Sequence, residues 1–216
     1  MNIESASIHF NATQGAGATS RVNLIEVGEI RADLLAESTR IIKSALDASA
    51  ARNNPKLVHL CGIPGAGKTT YARRWLAENS DFVLVQFDSI MESLEGYRTD
   101  FAARGMVEAF GQWELPARII GYHLLQALID SKRNVLFDHS AAAVGHVALL
   151  EGVKALGYLV EMHHVQCELP EALERIKKRE IEDKRHTPPA LVHERSELLK
   201  DLLPRYQNIA DLYLSV

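Results

Sequence analysis

The run Gly62-Ile63-Pro64-Gly65-Ala66-Gly67-Lys68-Thr69 fits G-x-x-x-x-G-K-[ST] at every fixed position. Each residue type in it has a chemical task. Glycines let the backbone turn with its N–H groups facing inward, a cradle for phosphate oxygens at a helix N-terminus. Lys68 reaches the β- and γ-phosphates, and the Thr69 hydroxyl is a ligand for Mg²⁺. An apolar strand (57–61) precedes the run and a helix-compatible stretch follows it. The expected nucleotide contacts are Gly62, Pro64, Gly65, Ala66, Gly67, Lys68, Thr69 and Thr70. The pattern implies binding of a nucleoside triphosphate such as ATP, together with Mg²⁺.

Two carboxylates follow short apolar runs. Asp88 closes Val83-Leu84-Val85-Gln86-Phe87, and Asp138 closes Val135-Leu136-Phe137. In a doubly wound sheet, carboxyl ends of strands face the ligand crevice. Asp88 is therefore placed to take the proton of a hydroxyl that attacks the γ-phosphate; the competing reading is a helix cap ahead of Ser89-Ile90-Met91-Glu92. Asp138 is placed to hold Mg²⁺ or, with Ser140, to orient the substrate; otherwise it ends a strand at a turn. His139 beside it has no second or third ligand at zinc-site spacing, so no metal centre is expected there. His163 and His164 point to opposite faces of a strand and read as structural or surface histidines.

The charge-dense segment 173–189 is either a solvated helix laced with pairs such as Glu174–Lys178 or a lid whose arginines close over the triphosphate. Arg179 and Arg185 lead as catalytic candidates, with Arg175 and Arg195 behind them. Glu114 and Arg118 read as acceptor contacts or as residues opening a helix, and Trp113 as packing.

These groups need elements to hold them. β-rich runs at 57–61, 82–87, 134–137, 159–166 and 212–216 alternate with helical stretches at 69–78, 116–130, 146–156 and 170–182. Such alternation means βαβ units around a parallel sheet covered on both faces. The expected architecture is a P-loop NTPase fold: a three-layer α/β/α domain with a five-stranded, mostly parallel sheet and a helical lid. It spans 56–216. Residues 1–55 form a separate arm with one short strand near 7–10 and a helix over 30–48.

Composition excludes several classes. The chain has 216 residues, 47% hydrophobic and 24% charged, enough apolar mass for one domain with an appendage. No stretch approaches the roughly 18 apolar residues of a membrane helix. Met1–Phe10 lacks the basic-then-apolar pattern of a secretory signal. A net charge of −4 argues against a nucleic-acid footprint. Two cysteines in apolar runs, Cys61 and Cys167, suit a reducing, cytoplasmic setting without a membrane partner. Neither Asn-Lys-x-Asp, needed to read guanine, nor the Ser-Gly-Gly of ABC ATPases is present, which leaves the small-molecule kinases.

In this order the motifs resemble the zeta toxin family of P-loop kinases over about Lys56–Val216. The match rests on the phosphate loop, Asp88, Asp138-His139-Ser140, Gly157-Tyr158-Leu159-Val160, the arginine-rich lid with His186 and Pro188, and Ala210-Asp211-Leu212-Tyr213-Leu214. The resemblance implies transfer of the ATP γ-phosphate to a hydroxyl of a small-molecule acceptor, in the family UDP-N-acetylglucosamine or, for some relatives, a nicotinamide dinucleotide. It also implies an antitoxin or other protein partner. Asp88 would be the base, Lys68 and Thr69 would serve phosphate and Mg²⁺, and lid arginines would offset charge. There are departures. Met91 stands where the family often has arginine, and Asp138-His139-Ser140-Ala141-Ala142 replaces its Glu-Gly-Thr and nearby arginine. A kinase of antibiotics or polynucleotide ends, or a nucleotide-binding module without transfer chemistry, are the alternatives.

Overall fold

The computed structural model describes residues 8–10, 25–182 and 187–216. Short strands β1 (Ile8–Phe10) and β2 (Ile25–Val27) pair antiparallel, apart from the main sheet. A 3-10 turn (Ala32–Leu34) leads into α1 (Leu35–Asp47), which packs on the long helix α5. The chain then alternates as its apolar runs dictate: β3 (Lys56–Cys61), α2 (Lys68–Glu78), β4 (Val83–Gln86), α3 (Phe87–Ser93), α4 (Glu95–Arg104), α5 (Met106–Asp130), β5 (Val135–Asp138), α6 (Gly145–Ala155), β6 (Leu159–His164), α7 (Leu169–Glu182), α8 (Pro189–Ile209) and β7 (Leu212–Ser215).

Five strands lie in the order β4-β5-β3-β6-β7, and every neighbouring pair is parallel, so the sheet is wholly rather than mostly parallel. The strand that feeds the phosphate loop is central. Its residues alternate between two apolar layers, as period-two geometry requires. Leu57 and Cys61 join Phe137, Val160 and Met162 beneath α5, α6 and α8, whereas Val58, Leu60 and Leu136 face α2 through Ala72, Tyr71 and Trp75. Parallel strands buried on both faces explain why these runs are apolar at nearly every position.

Three expectations need correction. α5 starts at Met106 and not at Pro116, which lies inside the helix. An interior proline removes one amide and crowds the preceding turn. The buried row Ala109, Trp113, Ala117, Ile120, Leu124 and Leu128 outweighs that cost. α8, a 21-residue helix with Pro204 inside it, was not foreseen beyond the lid. Strand β4 ends at Gln86, two residues before Asp88. Among the described residues no helix is long and apolar enough to cross a membrane.

Candidate active site

The phosphate loop bridges β3 and α2. Gly65 and Gly67 adopt φ of 86° and 101°, the left-handed region where a Cβ is disfavoured. At Gly65 a Cβ would also stand 2.5 Å from the Ala172 carbonyl oxygen, so the loop and α7 touch through glycine. Arg175, one turn further along α7, donates to the Ala66 carbonyl at 3.2 Å and pairs with Glu171 at 2.6 Å. The arginine ranked behind Arg179 thus seats α7 on the loop.

Lys68 opens α2, and its Nζ donates to the carbonyls of Gly62 (2.8 Å) and Ile63 (3.0 Å). Burial lowers its pKa; Asp138, Cys61 and Asp88 oppose that shift by attraction. Asp138 ends β5 and is 7% exposed. Burial raises its pKa, against the pull of Lys68 and the hydrogen bond from Gln86. Thr69 Oγ1 is 3.5 Å from Asp138 Oδ2. Gln86 ties these groups together, its Nε2 donating to Asp138 Oδ2 at 2.5 Å and to Thr69 Oγ1 at 3.1 Å. Sequence reasoning passed over Gln86. Its signal was a polar residue ending an apolar strand, in register with Asp138.

A crevice of about 880 Å³ opens at the carboxyl ends of the strands. Pro64, Gly65, Gly67, Lys68, Thr69 and Thr70 line one side, with Arg175 and Arg179 above. Asp88, Glu114, Arg118, Asp138 and Ser140 line the rest. Gly62 and Ala66 do not line it: Gly62 donates its amide to the Ser140 carbonyl, and Ala66 is buried within the loop. Arg185 lies outside the described residues.

Asp88 is neither the last residue of a strand nor a cap. It sits in the first turn of α3, after Gln86 at the N-cap, where the helix dipole favours an anion. Glu114 and Arg118 form an ion pair one turn apart in the middle of α5, not at its start. Arg195, 6% exposed, reaches from α8 to the Ala142 carbonyl and also lines the crevice. Trp113 is buried and donates to Asp100 at 2.7 Å, a packing residue as expected. An apolar wall of Phe87, Met91, Tyr97 and Phe110 completes the far side and had no motif to announce it.

His139 also lines the crevice, and the fold brings beside it residues that sequence spacing kept apart. Two ring partners stand beside it, His59 and His146, drawn from β3 and α6.

A phosphate loop on the central parallel strand, carboxylates across one crevice and helices covering it define a P-loop fold of the kinase type. The family model "AAA domain" matches residues 57–198, well over half of the chain, and the chain belongs to that family. No curated protein matches it by sequence. Among solved structures, a chain of the PezAT chromosomal toxin–antitoxin system of Streptococcus pneumoniae superposes with a TM-score of 0.67 at 18% identity, covering 86% of this chain and 78% of that one. The AvrRxo1-ORF1:AvrRxo1-ORF2 complex with sulphate ions gives 0.63 at 15% identity, covering 88% of this chain and 65% of that one, a little under two thirds of it. These are likenesses of fold, and at that level they agree with the zeta-toxin resemblance.

Proposed function

We propose that the protein is an ATP-dependent kinase that phosphorylates a hydroxyl of a small nucleotide-linked metabolite of the UDP-N-acetylglucosamine type. One observation carries the reading. The phosphate loop and a carboxylate in a helix's first turn line the same crevice, with Lys68 feeling both Asp88 and Asp138. In the proposed reaction Asp88 accepts the proton of the acceptor hydroxyl. The acceptor oxygen then bonds to the γ-phosphorus, and the bond to the β–γ bridging oxygen breaks to leave ADP. An approaching phosphate favours the charged form of Lys68, since an anion offsets the burial that lowers its pKa. Arg179 and Arg175 neutralise charge from α7. Thr69 and Asp138 present oxygen donors 3.5 Å apart, a set that fits the hard cation Mg²⁺. When bound, Mg²⁺ would neutralise the β- and γ-phosphate oxygens. Glu114, Arg118, Ser140 and the apolar wall would hold the acceptor.

The test is incubation with γ-labelled ATP and a fractionated metabolite extract, followed by identification of the labelled compound. Asp88→Asn should cut labelling by roughly 10²–10⁴-fold with ATP affinity retained. Full labelling in that variant removes Asp88 as the base. Labelled oligonucleotide ends, or an antibiotic, would replace the acceptor class, and ATP binding without product would leave a binding module. Both structural relatives belong to two-component assemblies, a toxin–antitoxin system and an ORF1:ORF2 complex, so a protein partner is part of the proposal; a binary complex on co-purification checks it.

A further inference from the structure

Three histidines distant in sequence meet beneath the acceptor side of the crevice. His59 lies within β3, His139 just past β5 and His146 in the first turn of α6, and ring nitrogens of all three come within 4.8 Å of one another. His59 and His146 are fully buried, while His139 borders the crevice.

Hydrogen bonds fix where the lone pairs are. His59 Nδ1 donates to the Leu60 carbonyl at 2.6 Å, which leaves the lone pair of the neutral ring on Nε2. That Nε2 faces His146 Nδ1 at 2.9 Å, and His146 Nε2 meets the Tyr122 hydroxyl at 2.8 Å. With its proton on Nδ1, His146 donates to His59. With the proton on Nε2, His146 donates to Tyr122 instead, and two lone pairs point into one space. The exchange is a tautomer shift with no net loss of a proton.

We propose that His59, His139 and His146 bind one divalent transition-metal ion of the zinc class. Imidazole nitrogen suits Zn²⁺ and its neighbours, whereas the oxygen donors at Thr69 and Asp138 suit Mg²⁺. A backbone carbonyl and a tyrosine hydroxyl on the far nitrogens are the outer contacts that orient metal-bound histidines. Tetrahedral nitrogens on zinc stand roughly 3.3 Å apart, so the His59–His146 pair must open by only about half an ångström. His139 joins at the cost of one bond. Its Nδ1 accepts the Ala141 amide at 3.1 Å, and whichever ring nitrogen ligates, Nδ1 can no longer accept it. Its place at the crevice edge gives an ion its route in. The bound ion would tie β3, the turn after β5 and α6 into a fixed floor under the acceptor.

The full chain, stripped by a chelator, is titrated with Co²⁺ in excess Mg²⁺, which holds the oxygen site. A visible band of nitrogen-ligated Co²⁺ should saturate at one ion per chain and be displaced by Zn²⁺. Binding should weaken at least roughly tenfold in His146→Gln and in His139→Ala. Should the buried His146→Gln chain fail to fold, His139→Ala at the crevice edge, checked by circular dichroism, decides alone. Absence of a saturable band in the unaltered chain, or equal binding by folded His139→Ala, overturns the proposal.

Discussion

At the end of β4 the Gln86 amide spans Asp138 and Thr69, while Ser89 donates to its oxygen. Side chains from β4, β5 and α2 therefore share one hydrogen-bond network, and a buried carboxylate in such a network is held in place by its donors. Gln86→Leu keeps the volume and removes the donors. Asp138 Oδ2 then keeps Thr69 at 3.5 Å as a weak partner, and its carboxylate is left short of hydrogen bonds. The expected loss is about 1–3 kcal/mol in urea unfolding. The Mg²⁺ concentration for half-maximal labelling should rise as well, because the oxygen pair loses its brace. An unchanged Mg²⁺ requirement would separate Gln86 from the metal–phosphate side of the site.

Where α3 meets α5, the close approach depends on Gly121. A Cβ there would stand 2.4 Å from Phe87 Cδ1 and 2.5 Å from Cε1. Phe87 opens α3, its ring lying against Tyr122 and His139, and Asp88 is the next residue. Gly121→Ala thus pushes on the turn that aims the proposed base. The overpacking should cost about 1–3 kcal/mol, and kcat/KM should fall further than the Tm shift accounts for. Equal fractional losses would show that α3 tolerates the displacement. This contact also illustrates what was legible in the sequence. The phosphate loop is eight contiguous residues and the strand runs are local, so motif and periodicity revealed them. Gln86 and the histidine trio become partners only through strand order and helix packing, which no local pattern encodes. The start of α5 was misplaced for a related reason: proline favours a helix start locally, and burial of a long apolar row overrode it.

Across the whole molecule, titration follows burial more than surface charge. His59, His139 and His146 share the interior with Phe137 and Tyr122, and burial holds each pKa below the ordinary histidine value, His59 at about 4. His163 and His164 on β6 are lowered by burial too. Neighbouring positive charges from Arg118 and Arg195 push His139 and His146 the same way. The unfolded rings titrate near 6.5, so on acidification the unfolded chain takes up protons first. Depressed folded values therefore give stability that is complete above about pH 6.5 and drains away as pH falls toward 4. Asp138, raised by burial, has the opposite sign and is one group against five. From pH 7 to 5, His59 alone should cost on the order of 2 kcal/mol, or roughly 4–8 °C in Tm for a chain of this size. The measurement is thermal unfolding of chelator-treated protein at both pH values, with His139→Gln expected to flatten the slope. A Tm constant over that interval would mean that the rings protonate in place, and that the interior beneath the crevice admits water.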